Sequence, residues 1–247
     1  MDIYQKEFRI RNADVDMGRK LKLSTMFEMF QEASIAHTEL LGAGREKTLD
    51  RGLLWVVTMQ TASVRRMPGY DDRIVLKSWA GNMMHILFPR YYRIEDAEGG
   101  LMAEGSALWG LISADTRKPV FPEQFGIEVP GTVTGTEAPL PTIIRQTDVT
   151  NRSDFTVPYS YVDMNGHMNN TRYFDLVRDV LFPLTGGAVP KSVNVEYAKE
   201  ARLGEMISVC SAKTDRGYYV IGCPAEGPED SLPEKHAKKI FRMSLEF

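Results

Sequence analysis

The sequence has few of the features that mark secreted, membrane or metal-binding proteins. Its two cysteines, Cys210 and Cys223, form no CxxC pair and have no histidine at metal-ligand spacing, so neither a disulfide framework nor a metal site is expected. No run approaches the roughly 20 apolar residues of a membrane span, and the N-terminus lacks the basic start and apolar stretch of a signal peptide. No GxGxxG or Walker pattern is present either. From these absences together we expect a cytoplasmic protein without cofactor, metal or membrane contact.

An excess of charge of one sign is also lacking. Lys and Arg number 30 and Asp and Glu 33, which gives a net charge of −3, whereas nucleic-acid-binding domains usually carry a strong basic excess. We therefore expect no nucleic-acid partner. The 247 residues are 43% hydrophobic and 26% charged, which is typical of a globular protein with one large domain or two of about 120 residues.

An internal repeat favours two domains. Val15-Asp16-Met17-Gly18 recurs as Val162-Asp163-Met164-Asn165, at an offset of 147 residues. At the same offset each copy continues into an amphipathic stretch with helical spacing. A shared motif followed by a shared helix pattern indicates duplication.

Both amphipathic stretches carry start or stop signals. In the first copy, Thr25 and Glu28 fit a capping box and predict the start of the helix. In the second copy, Asn170 or Thr171 is expected to cap the helix, and Pro183 is expected to break it.

Segments typical of strands follow each helix. The first copy continues through Leu54–Val64, Ile74–Trp79, His85–Ile94 and Ala103–Ile112, and the second through Val193–Tyr197, Met206–Ser211, Tyr218–Cys223 and Lys239–Phe247. A long helix followed by antiparallel strands, used twice, predicts an α+β fold. We place the domains at 1–126 and 153–247, with 127–152 as a linker rich in Pro, Gly and Thr.

The segment from Asp163 to His167 is the most unusual in the chain. In an extended strand, residues two apart project to the same side, so Asp163, Asn165 and His167 would converge just ahead of a helix N-terminus. An acid, an amide and an imidazole can together hold and move a proton, while backbone N–H groups face developing negative charge. The alternative is that Asn165 and Gly166 form a hairpin turn and His167 is a surface residue.

The first copy keeps only part of this set. At the same offset Gly18 replaces Asn165 and Lys20 replaces His167, whereas Asp16 is retained. We interpret this difference to mean that one half of the chain carries out the chemistry and the other half serves another purpose.

The sequence resembles the acyl-acyl carrier protein thioesterases, bacterial relatives of the plant enzymes. The resemblance covers nearly the whole chain and lies in these segments: D-x-N-x-H-M-N-N-x-x-Y from Asp163 to Tyr173, Val195–Glu200, Leu54–Thr58, Trp79, and Trp109 followed by Asp115-Thr116-Arg117. It implies a tandem hotdog fold, in which each half is a long helix wrapped by an antiparallel β-sheet. It also implies that the reaction is hydrolysis of a fatty acyl thioester and that the partner is the acyl carrier protein that carries the acyl chain. Whether two chains form a homodimer is left open.

Carried over position by position, the resemblance implies Asp163, Asn165, His167 and Glu200 as the catalytic residues. In plant members a cysteine follows the position matched by Glu200, but Ala201 stands there in this chain, which excludes a thiol nucleophile at that position. We interpret the remaining set as one in which His167 and Glu200 position and deprotonate a water. Attack by Asp163 itself, through a mixed anhydride, is the alternative.

The role of Glu200 depends on the strand that precedes it. Val193, Val195 and Tyr197 alternate as one strand face, which places Glu196 and Glu200 on the other. Glu200 reaches the site only if that face looks inward there or if a β-bulge intervenes. Glu196 competes for the same role, and either carboxylate can instead be solvated.

Several other side chains are candidates for binding roles. The set expected to contact substrate comprises Met26, Phe27, Phe30, Trp55, Met59, Asn169 and Asn170, although its apolar members can equally be core residues. The set expected to dock an acidic carrier comprises Arg65, Arg66, Arg172, Lys199 and Arg202, with an ordinary charged surface as the alternative. His37, His85 and His236 are expected to be structural or exposed, and the basic run 235–239 to be a solvated turn.

Three other functions stay open on the sequence. An acyl-coenzyme A thioesterase would use a similar site without a carrier-docking surface. A hotdog hydratase or dehydratase would act on hydroxyacyl thioesters and release no thiol. A non-catalytic acyl-binding module would show unchanged activity when Asp163 and His167 are each replaced by alanine.

Overall fold

The computed structural model describes residues 2–225 and 238–247. It divides into two compact units, Met1–Pro141 and Thr142–Phe247, called unit 1 and unit 2 below. Within the described residues, no helix has the length and apolar character needed to cross a membrane. His236 and residues 235–237 of the basic run lie outside the described residues.

Unit 1 is a helix packed on a five-stranded antiparallel sheet. Its elements are β1 (Tyr4–Arg9), α1 (Leu23–Leu40), β2 (Leu53–Val64), β3 (Arg73–Ala80), β4 (Leu87–Asp96) and β5 (Leu101–Ser113). The strand order is β1-β3-β4-β5-β2. α1 packs against β1 and β3 and buries Met26, Phe27 and Phe30 completely, because apolar residues at helical spacing form the face turned to the sheet.

Unit 2 repeats this topology. Its elements are β6 (Asn151–Thr156), α2 (Arg172–Thr185), β7 (Ser192–Tyr197), β8 (Met206–Lys213), β9 (Gly217–Pro224) and β10 (Phe241–Glu246). The strand order is β6-β8-β9-β10-β7 and all pairs are antiparallel. α2 packs against β8 and buries Tyr173, Phe174 and Val177. The predicted α+β plan, used twice, is confirmed.

The first strand of each unit was not predicted from the sequence. β1 and β6 begin at Tyr4 and Asn151, which differ by the same 147 residues as the repeated motif. Their sequences, YQKEFR and NRSDFT, are mostly polar, so they lack the apolar alternation that identifies a half-buried strand. Each lies at one edge of its unit's strand order, where polar and charged residues protect against further strand pairing.

Both helices differ from their predicted ends. α1 begins at Leu23 with Lys22 at the N-cap, which places Thr25 inside the helix, so the predicted capping box is wrong. α2 continues to Thr185 and contains Pro183, so the predicted break is also wrong. Pro183 lies in the last turn, where its missing N–H forfeits a single helical hydrogen bond.

The segment between β5 and β6 contains no α-helix or β-strand. The Ser106 hydroxyl donates to the Pro139 carbonyl at 2.6 Å, whereas the Asn194 side chain donates to the Thr142 carbonyl at 2.6 Å. The division between the units therefore falls inside the stretch 127–152 that we predicted as a linker. The exact domain limits stay a prediction.

Candidate active site

Residues 163–167 form a tight turn. The Gly166 N–H donates to the Asp163 carbonyl at 3.0 Å, and the Asp163 N–H donates to the His167 carbonyl at 2.9 Å. Gly166 has φ +78°, a conformation that glycine adopts without steric cost. The Asp163 carboxylate accepts the Asn165 N–H at 2.8 Å. The segment is thus not an extended strand, and the expectation of alternate side chains converging for that reason is wrong.

The first copy folds into the same turn. The Arg19 N–H donates to the Asp16 carbonyl at 2.9 Å, and the Asp16 N–H donates to the Lys20 carbonyl at 2.8 Å. The Asp16 carboxylate accepts the N–H groups of Gly18 and Lys20 at 2.9 and 3.1 Å. The aspartate occurs in both copies because its carboxylate stabilises the turn, whereas the position of His167 carries a different chemistry in each.

A backbone irregularity after β7 controls where Glu200 points. The strand ends at Tyr197, and the N–H groups of Ala198 and Lys199 both donate to the Ile240 carbonyl, at 2.8 and 3.1 Å. Two successive N–H groups on one carbonyl are typical of a β-bulge, which changes the side to which the following residues project. The alternation of the strand therefore does not extend to Glu200.

Unit 1 contains the same irregularity. The N–H groups of Arg65 and Arg66 both donate to the Met102 carbonyl, at 2.9 and 3.0 Å. Aligning the two irregularities places Met67 where unit 2 has Glu200, and Met67 is buried. The backbone that presents the carboxylate is thus common to both units, whereas the carboxylate itself belongs to unit 2.

Glu200 lies against His167. Nε2 of His167 is 3.3 Å from Oε2 of Glu200, and the two side chains are 17% and 42% exposed. The Met168 N–H donates to the Ala201 carbonyl at 2.7 Å, which holds the Glu200 loop against the turn. Nδ1 of His167 is buried. Nε2 and the carboxylate are therefore the atoms of this pair that can exchange a proton with a bound molecule.

Glu196 has a different environment from Glu200. It is 9% exposed, and it accepts the Ile144 N–H at 2.5 Å. Its other oxygen accepts two hydrogen bonds from the Arg242 guanidinium, at 3.0 and 2.5 Å. Glu196 thus connects the chain before β6 to β7 and β10, and the structure places Glu200, not Glu196, beside His167.

A buried tyrosine supports the Glu200 loop. Tyr173, in the first turn of α2, is 1% exposed, and its ring lies 4.8 Å from that of Phe241. Its phenol is hydrogen-bonded to the backbone of Ala201, the residue after Glu200, and burial raises the pKa of the phenol well above its usual value. Sequence reasoning treated Tyr173 as helix core. The signal that it missed is Met26 at the same repeat position, which has no hydroxyl.

The amides ahead of α2 divide into two groups. Asn169 accepts the N–H and the hydroxyl of Thr171 at 2.9 and 2.8 Å, and its carbonyl accepts the Arg172 N–H at 2.9 Å. The predicted substrate-binding residue Asn169 therefore serves the start of the helix and occupies N–H groups that could otherwise face a substrate. The side chains of Asn165 and Asn170 make no hydrogen bond within the described residues.

The apolar candidates for substrate contact lie in unit 1. Met26, Phe27 and Phe30 are fully buried, and the Phe30 ring stacks on Tyr92 at 4.3 Å. Trp55 is half-buried and donates to the Ala43 carbonyl at 3.1 Å. Met59 is half-buried and follows a register shift between β2 and β5. Trp55 and Met59 are therefore the members of this set with exposed surface.

The five basic candidates differ in their partners. Arg66 forms an ion pair with Asp96 at 3.0 Å, and Arg172 forms one with Asp175 at 3.2 Å. The candidates that are exposed and make no ion pair within the described residues are Arg65, Lys199 and Arg202.

The remaining histidines behave as expected from the sequence where they are described. His37 is buried and accepts a hydrogen bond from Arg90 at 2.7 Å through Nδ1, whereas His85 is exposed. Residues 2–225 and 238–247 contain no group of three His, Cys, Asp or Glu side chains that could hold a metal ion.

The duplicated fold is that of a known family. The family model for the acyl-ACP thioesterase N-terminal domain matches residues 1–123, and the model for the acyl-ACP thioesterase C-terminal domain matches residues 144–240. The two matches together cover most of the sequence. The chain belongs to the acyl-ACP thioesterase family.

Curated relatives come from plant chloroplasts. The chain is 24% identical to an acyl-[acyl-carrier-protein] hydrolase of Cuphea viscosissima, over 87% of this chain and 57% of the relative. It is 25% identical to the dodecanoyl-[acyl-carrier-protein] hydrolase of Umbellularia californica, over 73% of this chain and 52% of the relative. The chain thus spans little more than half the length of these relatives.

Two solved structures share the fold over nearly their whole length. The acyl-ACP thioesterase of Bacteroides thetaiotaomicron superimposes with a TM-score of 0.80 at 18% identity, covering 99% of this chain and 97% of the other. The 12:0-ACP thioesterase of Umbellularia californica gives a TM-score of 0.80 at 18% identity, with coverages of 99% and 96%. These similarities confirm the tandem hotdog fold implied by the sequence.

Proposed function

We propose that the protein hydrolyses the thioester of a fatty acyl-acyl carrier protein and releases a fatty acid and the carrier. The observation that carries this proposal is the His167–Glu200 pair, 3.3 Å apart and partly exposed. A carboxylate beside an imidazole is suited to general acid–base catalysis. Family membership and relatives named acyl-[acyl-carrier-protein] hydrolases support this substrate class.

The mechanism uses a water held at Nε2 of His167 and the Glu200 carboxylate. The pair takes a proton from the water as its oxygen attacks the thioester carbonyl carbon, which forms a C–O bond and a tetrahedral oxyanion. Collapse of this intermediate breaks the C–S bond, and the departing thiolate takes up the proton from the pair. General acid–base help of this kind contributes about 10²–10⁴-fold in rate.

Asp163 and Asn165 have supporting parts in this mechanism. One Asp163 oxygen accepts the Asn165 N–H, so we assign Asp163 to holding the turn and the Asn165 side-chain amide to donating a hydrogen bond to the reacting carbonyl. Covalent attack by Asp163 would instead form a mixed anhydride. A single turnover in oxygen-18 water distinguishes the two, because hydrolysis of an anhydride at the aspartyl carbonyl leaves label in Asp163. An unlabelled Asp163 carboxylate would contradict covalent attack followed by hydrolysis at the aspartyl carbonyl.

The activity itself is tested by thiol release. We expect His167→Ala to lower kcat/KM for acyl-carrier substrates by about 10²-fold or more. The matched control is His85→Asn, since His85 is exposed and has φ +57°, a conformation that asparagine tolerates. The control should retain wild-type activity. Equal activity of wild type and His167→Ala would refute the proposed active site.

The carrier is identified by comparing thioesters of one acyl chain. We propose that Lys199 and Arg202, exposed on either side of Glu200 in sequence, favour an acidic carrier through electrostatic attraction. The expected result is a higher kcat/KM for the carrier-bound thioester than for the coenzyme A thioester at low salt. A preference for coenzyme A would favour an acyl-coenzyme A thioesterase.

We further propose that unit 1 contacts the acyl chain through Trp55 and Met59. Both are partly exposed apolar side chains, and the thioether of Met59 can adapt to an alkyl chain. Met59→Trp should shift the preferred chain length downward, with exposed Met83→Trp as a control of equal bulk. An unchanged chain-length profile would remove Met59 from the substrate-binding set.

A further inference from the structure

Unit 1 keeps the turn of unit 2 but carries cations on it. Arg19, Lys20 and Lys22 stand at the repeat positions of Gly166, His167 and Asn169 in unit 2. All three side chains are exposed. None of them forms an ion pair within the described residues, and the Lys22 ammonium donates to the Ala13 carbonyl at 3.1 Å.

Two exposed apolar side chains border these cations. Met17, at the tip of the turn, is 87% exposed, and Tyr70 is 54% exposed. The Tyr70 N–H donates to the Arg19 carbonyl at 3.0 Å, which places Tyr70 directly beside the turn. We call the surface formed by Met17, Arg19, Lys20, Lys22 and Tyr70 the basic turn.

The acidic residues around the basic turn already have partners. The Asp14 carboxylate pairs with Arg11 at 3.0 Å, and Asp71 pairs with Arg9 at 2.5 Å. The Asp16 carboxylate accepts two N–H groups of the turn itself. Three cations thus stand against the single Asp16 charge at this turn, although the whole chain has a net charge of −3.

One of these cations occupies a strained backbone position. Arg19 has φ +57°, and the equivalent residue of unit 2 is Gly166 with φ +78°. Glycine avoids the steric cost that an arginine has in this region. Unit 1 therefore carries an arginine at the place in the turn where glycine would be the more stable choice.

We propose that the basic turn is a docking surface for the acidic carrier protein of the substrate. This inference rests on the proposed function, since the carrier is the partner named there. An acidic amphipathic surface complements both parts of the basic turn, because carboxylates face the three cations while apolar side chains cover Met17 and Tyr70. Exposed charges of this kind steer encounter and fix orientation.

The test combines binding with kinetics. Isothermal titration measures binding of purified holo-acyl carrier protein, without an acyl chain, to wild type and to R19E/K20E/K22E. Kinetics measure the ratio of kcat/KM for the carrier-bound thioester to kcat/KM for the matching pantetheine thioester. We expect the triple variant to lose at least about tenfold in carrier affinity and in this ratio, and to show a weaker dependence on salt.

The matched control is K118E/K191E/K213E, which changes three other exposed lysines and alters the net charge equally. It should keep both the affinity and the ratio. R19G provides a second readout: it should raise or preserve Tm because the strain is removed, and yet weaken carrier binding. A merely destabilising variant would lower both.

The outcomes are distinguishable. The docking surface would be overturned if the triple variant kept both its carrier affinity and its kcat/KM ratio within twofold of wild type. An equal loss of kcat/KM on the carrier-bound and pantetheine thioesters would also overturn it. Binding to vesicles of anionic phosphatidylglycerol without binding to the carrier would overturn it in favour of a membrane surface. Absence of hydrolysis by wild type on every thioester would refute the proposed function, whereas the titration would still report on docking.

Discussion

Glu196 and Glu200 are four residues apart in sequence but lie in opposite kinds of environment. Glu196 is buried against Arg242 and the Ile144 N–H, whereas Glu200 is partly exposed 3.3 Å from His167. The β-bulge at Ala198 and Lys199 separates the two. Replacing Glu200 with glutamine should therefore lower mainly activity, whereas replacing Glu196 with glutamine should lower mainly stability.

For Glu200→Gln we expect a loss of about 10²-fold in kcat with little change in stability. Glutamine keeps the shape of the side chain but removes the negative charge that supports proton transfer through His167. The side chain is 42% exposed, so the folded state gains little from its charge. Steady-state thiol release and thermal unfolding check this. A kcat close to wild type would exclude Glu200 from catalysis.

For Glu196→Gln we expect the reverse. Removing this charge leaves the Arg242 guanidinium, whose side chain is 12% exposed, without its counter-ion, which should lower the free energy of unfolding by about 3 kcal/mol. Urea unfolding measures this change, and kcat at a temperature where the variant is folded should stay within about twofold of wild type. A stable but inactive variant would contradict our reading of Glu196.

These two glutamates show where sequence reasoning succeeded and where it failed. The repeat offset followed from the recurring Val-Asp-Met motif, and the eight core strands and both helices followed from apolar spacing, because those elements bury one face. The position of Glu200 could not follow from spacing, since it depends on two N–H groups sharing the Ile240 carbonyl, and a bulge leaves no periodic signal. The turn at Asp163 was misjudged for a related reason, because local hydrogen bonds replaced the strand alternation.

The edge strands were missed for a different physical reason. β1 and β6 have polar sequences because an edge strand pairs on one side and is exposed on the other. Comparison of the two copies could have supplied the missing signal, since both strands start at the same repeat offset. The same comparison distinguishes Asp16, which keeps the turn, from Lys20, which replaces the histidine.

Tyr173→Phe should separate positioning from substrate binding. The variant removes the phenol that is hydrogen-bonded to the backbone of Ala201, so the Glu200 loop loses an anchor while the ring packing on Phe241 is kept. We expect kcat to fall about tenfold with KM within about twofold, and the pH profile of kcat to change because Glu200 is less well held against His167.

The control for this variant is Tyr219→Phe in the same unit. Tyr219 is 2% exposed, and its hydroxyl is buried without a hydrogen-bond partner within the described residues. Removing that hydroxyl should therefore leave kcat unchanged and stability equal or slightly higher. The same loss of kcat in both variants would indicate a general packing effect and contradict a positioning role for Tyr173.

The buried hydrogen bond between His37 and Arg90 predicts a loss of stability when its acceptor is removed. Burial lowers the pKa of Arg90 to about 10, so the guanidinium is still charged at neutral pH and donates to Nδ1 of His37 at 2.7 Å. His37→Leu leaves this buried donor without that acceptor, which should lower the free energy of unfolding by about 1–3 kcal/mol. His37→Gln, whose amide oxygen can accept the bond, should lose less. Urea unfolding measures both changes, and equal losses in the two variants would show that the hydrogen bond to Arg90 does not stabilise the fold.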